Sequence, residues 1–387
     1  MKLGKTAMTV AMKGDGYYSQ STRGAKDVID NAVAMLIEAT AAIAPTPKGQ
    51  PLHIADFGAA DGGTSKKAIY KTVSALRKRF SDQQILVTYT DLPSNDYSNL
   101  FKNMLGITSD QENNYMVDFP DVFLNAVGIG FHHQLMPDAS LDIGFSATAM
   151  HYVSEKPCEI EDHVHMVGAS GATLAAYAKR AAQDWESILL ARAKELRPGG
   201  RLVFMNFGKD EQGRYLGHTG GVNMFDTFYA LWSGMHTEGL ITSEEHKNAS
   251  FSQYYRSVEE FCLPFMDQDS TVSKAGLKLV SHHTGVIKCP YQAAFNAAKD
   301  TMSNRQFAQS YIPTLRSWSE TVFLNALMTT REQSERSDLI DLFYQRYEDM
   351  VSENPEGHAM DYVHCYLAIE KSHPLKTLHS RAVIPYV

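Results

Sequence analysis

One unit limits the fold of this chain more than any other: the short apolar run Leu52-His53-Ile54-Ala55-Asp56-Phe57-Gly58, which enters a glycine cluster and is followed over residues 66–80 by helical spacing. It reads as strand, glycine turn and helix. Looser versions recur. Residues 84–91 form a second strand rich in β-branched residues and closed by Asp91, and residues 141–145 a third. A helix over 175–196 leads to the break Arg197-Pro198-Gly199-Gly200, after which 201–206 form another strand. A helix over 25–44, with Val28, Ala32, Met35, Leu36 and Ile43 at helical spacing, ends before Pro45 and Pro47. Strands alternating with helices predict an α/β fold: an open, mostly parallel, Rossmann-like sheet with helices on both faces.

After Gly208 the pattern changes. Residues 210–223 are glycine-rich, and aromatic-dotted helical stretches follow at 225–240, 291–330 and 335–352. The expectation is a core over 1–208 and a mainly helical cap over 209–360, with late strands at 277–286 and 361–370 returning to the core sheet. A length of 387 residues with 44% hydrophobic content suffices for such a core. The net charge of -8 and the lack of a Lys/Arg block argue against a nucleic-acid partner. No run approaches membrane-spanning length, and the apolar patch at 7–12 is too short for a signal segment. Cys158, Cys262, Cys289 and Cys365 are scattered without a CxxC pair, which suggests a reducing, cytoplasmic location.

In open α/β sheets ligands bind beyond the carboxyl ends of the strands, which puts the turn 58–63 at a site. By itself that turn fits either a nucleotide-like ligand or a tight strand-to-helix connection. Asp91 either accepts from both ribose hydroxyls of an adenosyl group or makes a helix N-cap or Asx turn before Pro93. Asp56, ending the first strand, can receive an ammonium. The turn lacks the G-x-G-x-x-G spacing that brings helix amides to a pyrophosphate, which disfavours an NAD-dependent oxidoreductase. S-adenosylmethionine has no phosphate to place. His163-Val164-His165 and His282-His283 lack further acids or cysteines at ligand spacing, so no metal is expected.

Several ordered motifs sharpen the reading: Met12-Lys13-Gly14-Asp15-Gly16-Tyr17-Tyr18, Ile54-Ala55-Asp56-Phe57-Gly58, Thr90-Asp91-Leu92-Pro93-Ser94-Asn95-Asp96, Gly128-Ile129-Gly130-Phe131, Leu135-Met136-Pro137, the stretch 146–157 and Glu238-Gly239-Leu240-Ile241. Together they resemble the SABATH family of carboxyl and N-methyltransferases, which acts on salicylic acid, benzoic acid and theobromine precursors. The resemblance implies S-adenosylmethionine as cofactor, S-adenosylhomocysteine as product, a small aromatic, indolic or unsaturated acid as substrate, and a homodimer. It also implies an N-terminal segment that closes over the cofactor.

The resemblance implies residue roles too. Tyr18 (or Tyr17), Asp56, Gly58, Asp91, Leu92 and Gly130 would hold the cofactor, and Phe131 would stack on its adenine with Ser146 close by. His151 and Tyr152 take the places that grip the substrate carboxylate, and imidazole N–H and phenol O–H are both suitable donors. Thr148, Phe225, Phe228, Trp232, Tyr254 and Tyr255 match the pocket region, although aromatic residues at helical spacing fit plain core equally. Two departures stand out. The family's carboxylate-binding glutamine falls at Gly24 or Ala25, with Arg23 or Lys26 beside it, and the polar turn after the first strand is here Ala59-Ala60-Asp61-Gly62-Gly63-Thr64.

The implied reaction is in-line methyl transfer to a carboxylate, which is ionised at pH 7 and needs no general base. N-methylation of a heterocycle, and a catalytically idle cofactor-binding protein of the same fold, are the alternatives.

Overall fold

A computed structural model describes residues 23–107 and 112–373, the side chains of 23–25 excepted. Among the described residues eight strands form one sheet: β1 (Leu52–Phe57), β2 (Ile85–Asp91), β3 (Val122–Gly128), β4 (Leu141–Ala147), β5 (Leu196–Lys209), β6 (Arg256–Ser257), β7 (Leu277–Ile287) and β8 (Tyr362–Lys371). The order is β3-β2-β1-β4-β5-β8-β7, with β6 pairing β5 to one side. All pairs from β3 to β5 are parallel, and β8 runs antiparallel to both β5 and β7. The order reverses between β1 and β4, which creates the crevice where such sheets bind ligands.

The central strands are buried on both faces, as parallel strands flanked by helices must be. Along β5, Leu202 and Phe204 join Trp185, Ile188 and Leu189 of helix Gly171–Glu195 on one face. Val203, Met205 and Phe207 join Val28 and Leu36 of helix Arg23–Ala42 on the other. This second cluster continues without a break into helices Met224–Thr237, Asn304–Ala326 and Gln333–Glu353.

The structure refines several boundaries. The expected break at 197–200 is a bulge inside β5, where the partner of Leu141 is Leu196 and that of Ile143 is Arg201. The stretch 291–330 divides into Pro290–Ala297 and Asn304–Ala326, because Ser303 and Gln306 form a capping box that starts a new helix. β3, Val122–Gly128, is an edge strand outside those expected from the sequence, and although its residues are mostly apolar one face is half-exposed, including Phe123. Residues 256–266 leave the helical layer: β6 pairs β5, and Phe261 packs on Trp185.

Candidate active site

The turn after β1 is tied to the end of β2. Gly58 and Ala59 N–H both donate to the Thr90 carbonyl at 2.8 and 3.1 Å. Ala60 N–H donates to Asp91 Oδ2 and Leu92 N–H to Asp91 Oδ1, each at 2.7 Å. Each carboxylate oxygen retains a further lone pair, so Asp91 pins the turn and can still accept from a ligand. The following helix, Tyr97–Met104, is capped by Asp96 and not by Asp91. Burial raises the pKa of Asp91, opposed by the two backbone donors.

Gly58 has φ +80°, and a Cβ there would overlap the Ala149 side chain and lie 3.9 Å from the Phe131 ring. Both its conformation and its size therefore exclude other residues. Asp56 is 2% exposed and its Oδ2 has no partner among the described residues. Burial lifts its carboxyl to about 7, with a hydrogen bond from Ser65 opposing and Asp91 adding repulsion. Two acids at adjacent strand ends, one with an orphan oxygen, suit a cationic ligand. The positive charges of S-adenosylmethionine fit that requirement.

Phe131 is presented by a loop that a buried ion pair holds. Arg192 and Glu195 are both fully buried at the end of helix Gly171–Glu195, with Nε to Oε2 at 2.5 Å. Arg192 also donates to the carbonyls of Phe131 and His133 at 3.0 and 2.8 Å, and Glu195 accepts from the amides of Leu135 and Met136. Leu92 comes within 3.4 Å of the Cβ position of Gly130. Ser146 Oγ donates to the Phe57 carbonyl at 2.8 Å, so its proton ties β4 to β1. Tyr18 and the opening motif lie outside the described residues.

Past β4 the chain turns outward at Thr148, a non-glycine residue with φ +53° whose N–H donates to the Met205 carbonyl at 2.8 Å. Such strain persists where surrounding structure enforces it. The turn delivers Thr148, His151 and Tyr152 to a cavity lined further by Phe207, Gln253, Tyr255, Tyr362 and the apolar Leu216, Trp318 and Met360. His151 is buried and its Nδ1 has no partner among the described residues. Burial, reinforced by His364, His165 and Arg256, holds its pKa well below the usual range, so the ring is neutral. None of these described lining residues is an Asp or Glu.

Of the six residues expected in the pocket, Thr148 and Tyr255 line this cavity, while Trp232 is buried against Phe323 and Phe343. Phe225 stands one layer back, stacked on His165 at 4.0 Å. Phe228 is fully buried among Phe251, Trp318, Phe323, Phe343 and Tyr347. Tyr254 lies in an extended segment, where neighbours alternate, and its hydroxyl donates to Glu260 at 2.8 Å in a different cavity. Sequence reasoning missed Phe207, Gln253, Trp318, Met360 and Tyr362. The alternation that takes Tyr254 away from the cavity brings Gln253 and Tyr255 to it, and was the available signal. His163 and His165 bond Asp226 and Gln253 respectively, while His282 and His283 are exposed on β7.

The family model for SAM dependent carboxyl methyltransferases matches residues 6–372. The chain belongs to that family. The methyltransferase is 24% identical to loganic acid O-methyltransferase of Catharanthus roseus over 67% of this chain and 72% of that protein. It is 27% identical to salicylate carboxymethyltransferase of Clarkia breweri over 60% and 62%, and 26% identical to indole-3-acetate O-methyltransferase 1 of Arabidopsis thaliana over 54% and 59%. The chain thus spans about three-fifths of the length of the latter two. The solved structure of loganic acid methyltransferase with SAH shares the fold, with a TM-score of 0.72 at 21% identity, over 94% of this chain and 99% of that one. S-adenosylmethionine is the cofactor of the family, and the crevice at β1, β2 and β4 has the charge to hold it. No helix among the described residues is long and apolar enough to cross a membrane.

Proposed function

We propose that this methyltransferase esterifies a small organic acid whose carboxylate is positioned by His151 and Tyr152. The observation that carries the proposal is a cavity at the end of β4, walled by rings and neutral hydrogen-bonding groups with no acid among its described residues. Asp56, Gly58, Asp91 and Leu92 would hold the cofactor, with Phe131 against its adenine. Bound S-adenosylmethionine supplies a methyl group on a positive sulfur, and its transfer to a carboxylate neutralises both charges without moving a proton.

The protein's part is to orient and to dry the site. Charge disappears on the way to the transition state, so exclusion of water by Phe207, Trp318 and Met360 favours it. Neutral donors suit that task better than a cation, which would stabilise the ionised ground state more than the transition state. The helices over 224–237 and 304–353 act as the cap in this reading, and a cytoplasmic homodimer without nucleic-acid partners completes it. Scattered free cysteines and the acidic charge balance support the last points. Labelled cofactor offered with aromatic, indolic and dicarboxylic acids, and with xanthines, tests the function. Methyl esters are expected; label found only on heterocycle nitrogen would overturn it.

A further inference from the structure

The cavity contains a donor that the carboxylate grip does not require. Gln253 is 1% exposed, lines the cavity, and is the antiparallel bridge partner of Tyr152. Its amide is oriented by two neighbours. His165 Nδ1 accepts from Val167 N–H at 3.2 Å, which leaves the proton of this neutral ring on Nε2. That nitrogen lies 3.2 Å from Gln253 Oε1, and the Tyr255 hydroxyl donates to the same oxygen at 3.2 Å. With both donors on Oε1, the amide NH2 takes the other side, and no described residue accepts from it. Stacking of His165 on Phe225 at 4.0 Å holds the arrangement from behind.

We infer that Gln253 is a specificity residue, whose NH2 donates to a neutral oxygen acceptor carried by the substrate beside its carboxyl group. Two considerations direct it there. A third donor on the carboxylate itself would stabilise the charge that must vanish in the transition state. The described lining contains no Lys or Arg, so a second anionic group would lack a counterion, whereas a carbonyl or ether oxygen needs one N–H. The substrate class is therefore a monocarboxylic acid with a neutral acceptor oxygen near the carboxyl. His165 is a positioning residue in this scheme.

This inference rests on the carboxyl-methylation reading, and matched acids separate the two. Benzoates bearing methoxy or ethyl at the 2- or 3-position differ little in size but only one of each pair has an acceptor. Their binding to the full chain saturated with S-adenosylhomocysteine, and kcat/KM with S-adenosylmethionine, are measured for the native protein, Gln253→Met and Gln253→Glu. The native protein should prefer methoxy over ethyl by about tenfold at one ring position, the worth of one hydrogen bond to a buried donor. Gln253→Met should erase the preference, and Gln253→Glu should reverse it while ionised and restore it as the pH falls and the carboxyl gains a proton. Affinity for S-adenosylhomocysteine should not move in either variant, which also reports folding. No preference in the native protein, or an unchanged preference in either folded variant, overturns the inference. Failure of the native protein to methylate any acid overturns the carboxyl reading instead.

Discussion

The two ends of the active crevice are built on opposite principles. At the cofactor end, consecutive strand ends and main-chain amides form an acidic cradle: Asp56, Asp91, and the turn 58–60 tied to Thr90. At the acid end, side chains from six separate segments, around residues 148–152, 207, 216, 253–255, 318 and 360–362, form a neutral wall. In the proposed arrangement the cationic cofactor is met by acids, and the substrate, an anion that must lose its charge, is met by uncharged donors. The difference teaches that affinity at one end is a matter of Coulomb attraction and burial, and at the other of geometry.

Removing charge at the first end should have the largest effect. Asp91→Ala should weaken cofactor binding at least about a hundredfold, since charge-assisted hydrogen bonds are worth roughly 1.5–3 kcal/mol each. Calorimetry on the folded variant checks this, and an unchanged dissociation constant would detach Asp91 from the cofactor. At the second end, Tyr152→Phe should lower kcat/KM on the native acid by about ten- to a hundredfold, or 1.4–2.7 kcal/mol, with cofactor affinity unmoved. Equal efficiency across an acid panel would return Tyr152 to a structural role.

Asp56 gives the cradle a pH dependence that the neutral wall should lack. Its carboxyl ionises at about 7 in the unliganded fold against 3.8 for the free side chain. The folded chain thus retains a proton that the unfolded chain releases between these values. Its contribution to the stability of the unliganded protein is full below pH 4 and lost as pH rises to 7. Cofactor affinity moves the other way, improving about tenfold between pH 6 and 8 as the carboxylate forms. Titrations at the two pH values, with Asp56→Asn as the flat control, test the sign. The smallest effect belongs to Phe131→Ala, which should raise the dissociation constants of S-adenosylmethionine and S-adenosylhomocysteine together by about fivefold, the scale of one aromatic contact. A change confined to the acid would place Phe131 at the other end.

The same contrast explains what could be read before the structure. The cradle was visible because its residues sit in short runs at strand ends: Asp56 and Gly58 close one strand, and Asp91 another. Their identities are dictated by backbone geometry that sequence spacing reveals. His151 and Tyr152 came with a family motif, and the structure sets them side by side with ring centroids 4.6 Å apart. Gln253, Trp318 and Met360 were opaque, because they meet only through tertiary packing over long sequence separations. Phe228 misled for the same reason, since helical spacing of aromatics does not say whether the apolar face meets a ligand or, as here, Phe323 and Phe343. The missing family glutamine could be noticed at Gly24 or Ala25, but no local pattern pointed to an amide at 253.

The Arg192–Glu195 pair grips the Phe131 loop through carbonyls of residues 131 and 133 and amides of 135 and 136, never through the loop's side chains. Residue 133 can therefore change while the loop's path is inherited unchanged, whereas His132, which rests on the Phe131 ring, and Leu135, which packs on the core, carry contacts of their own. Variation should concentrate in what the loop displays and spare the two distant residues that hold it. The heritable unit of this part of the site is a contour of main chain, written at two helical positions far along the sequence from where its effect is felt.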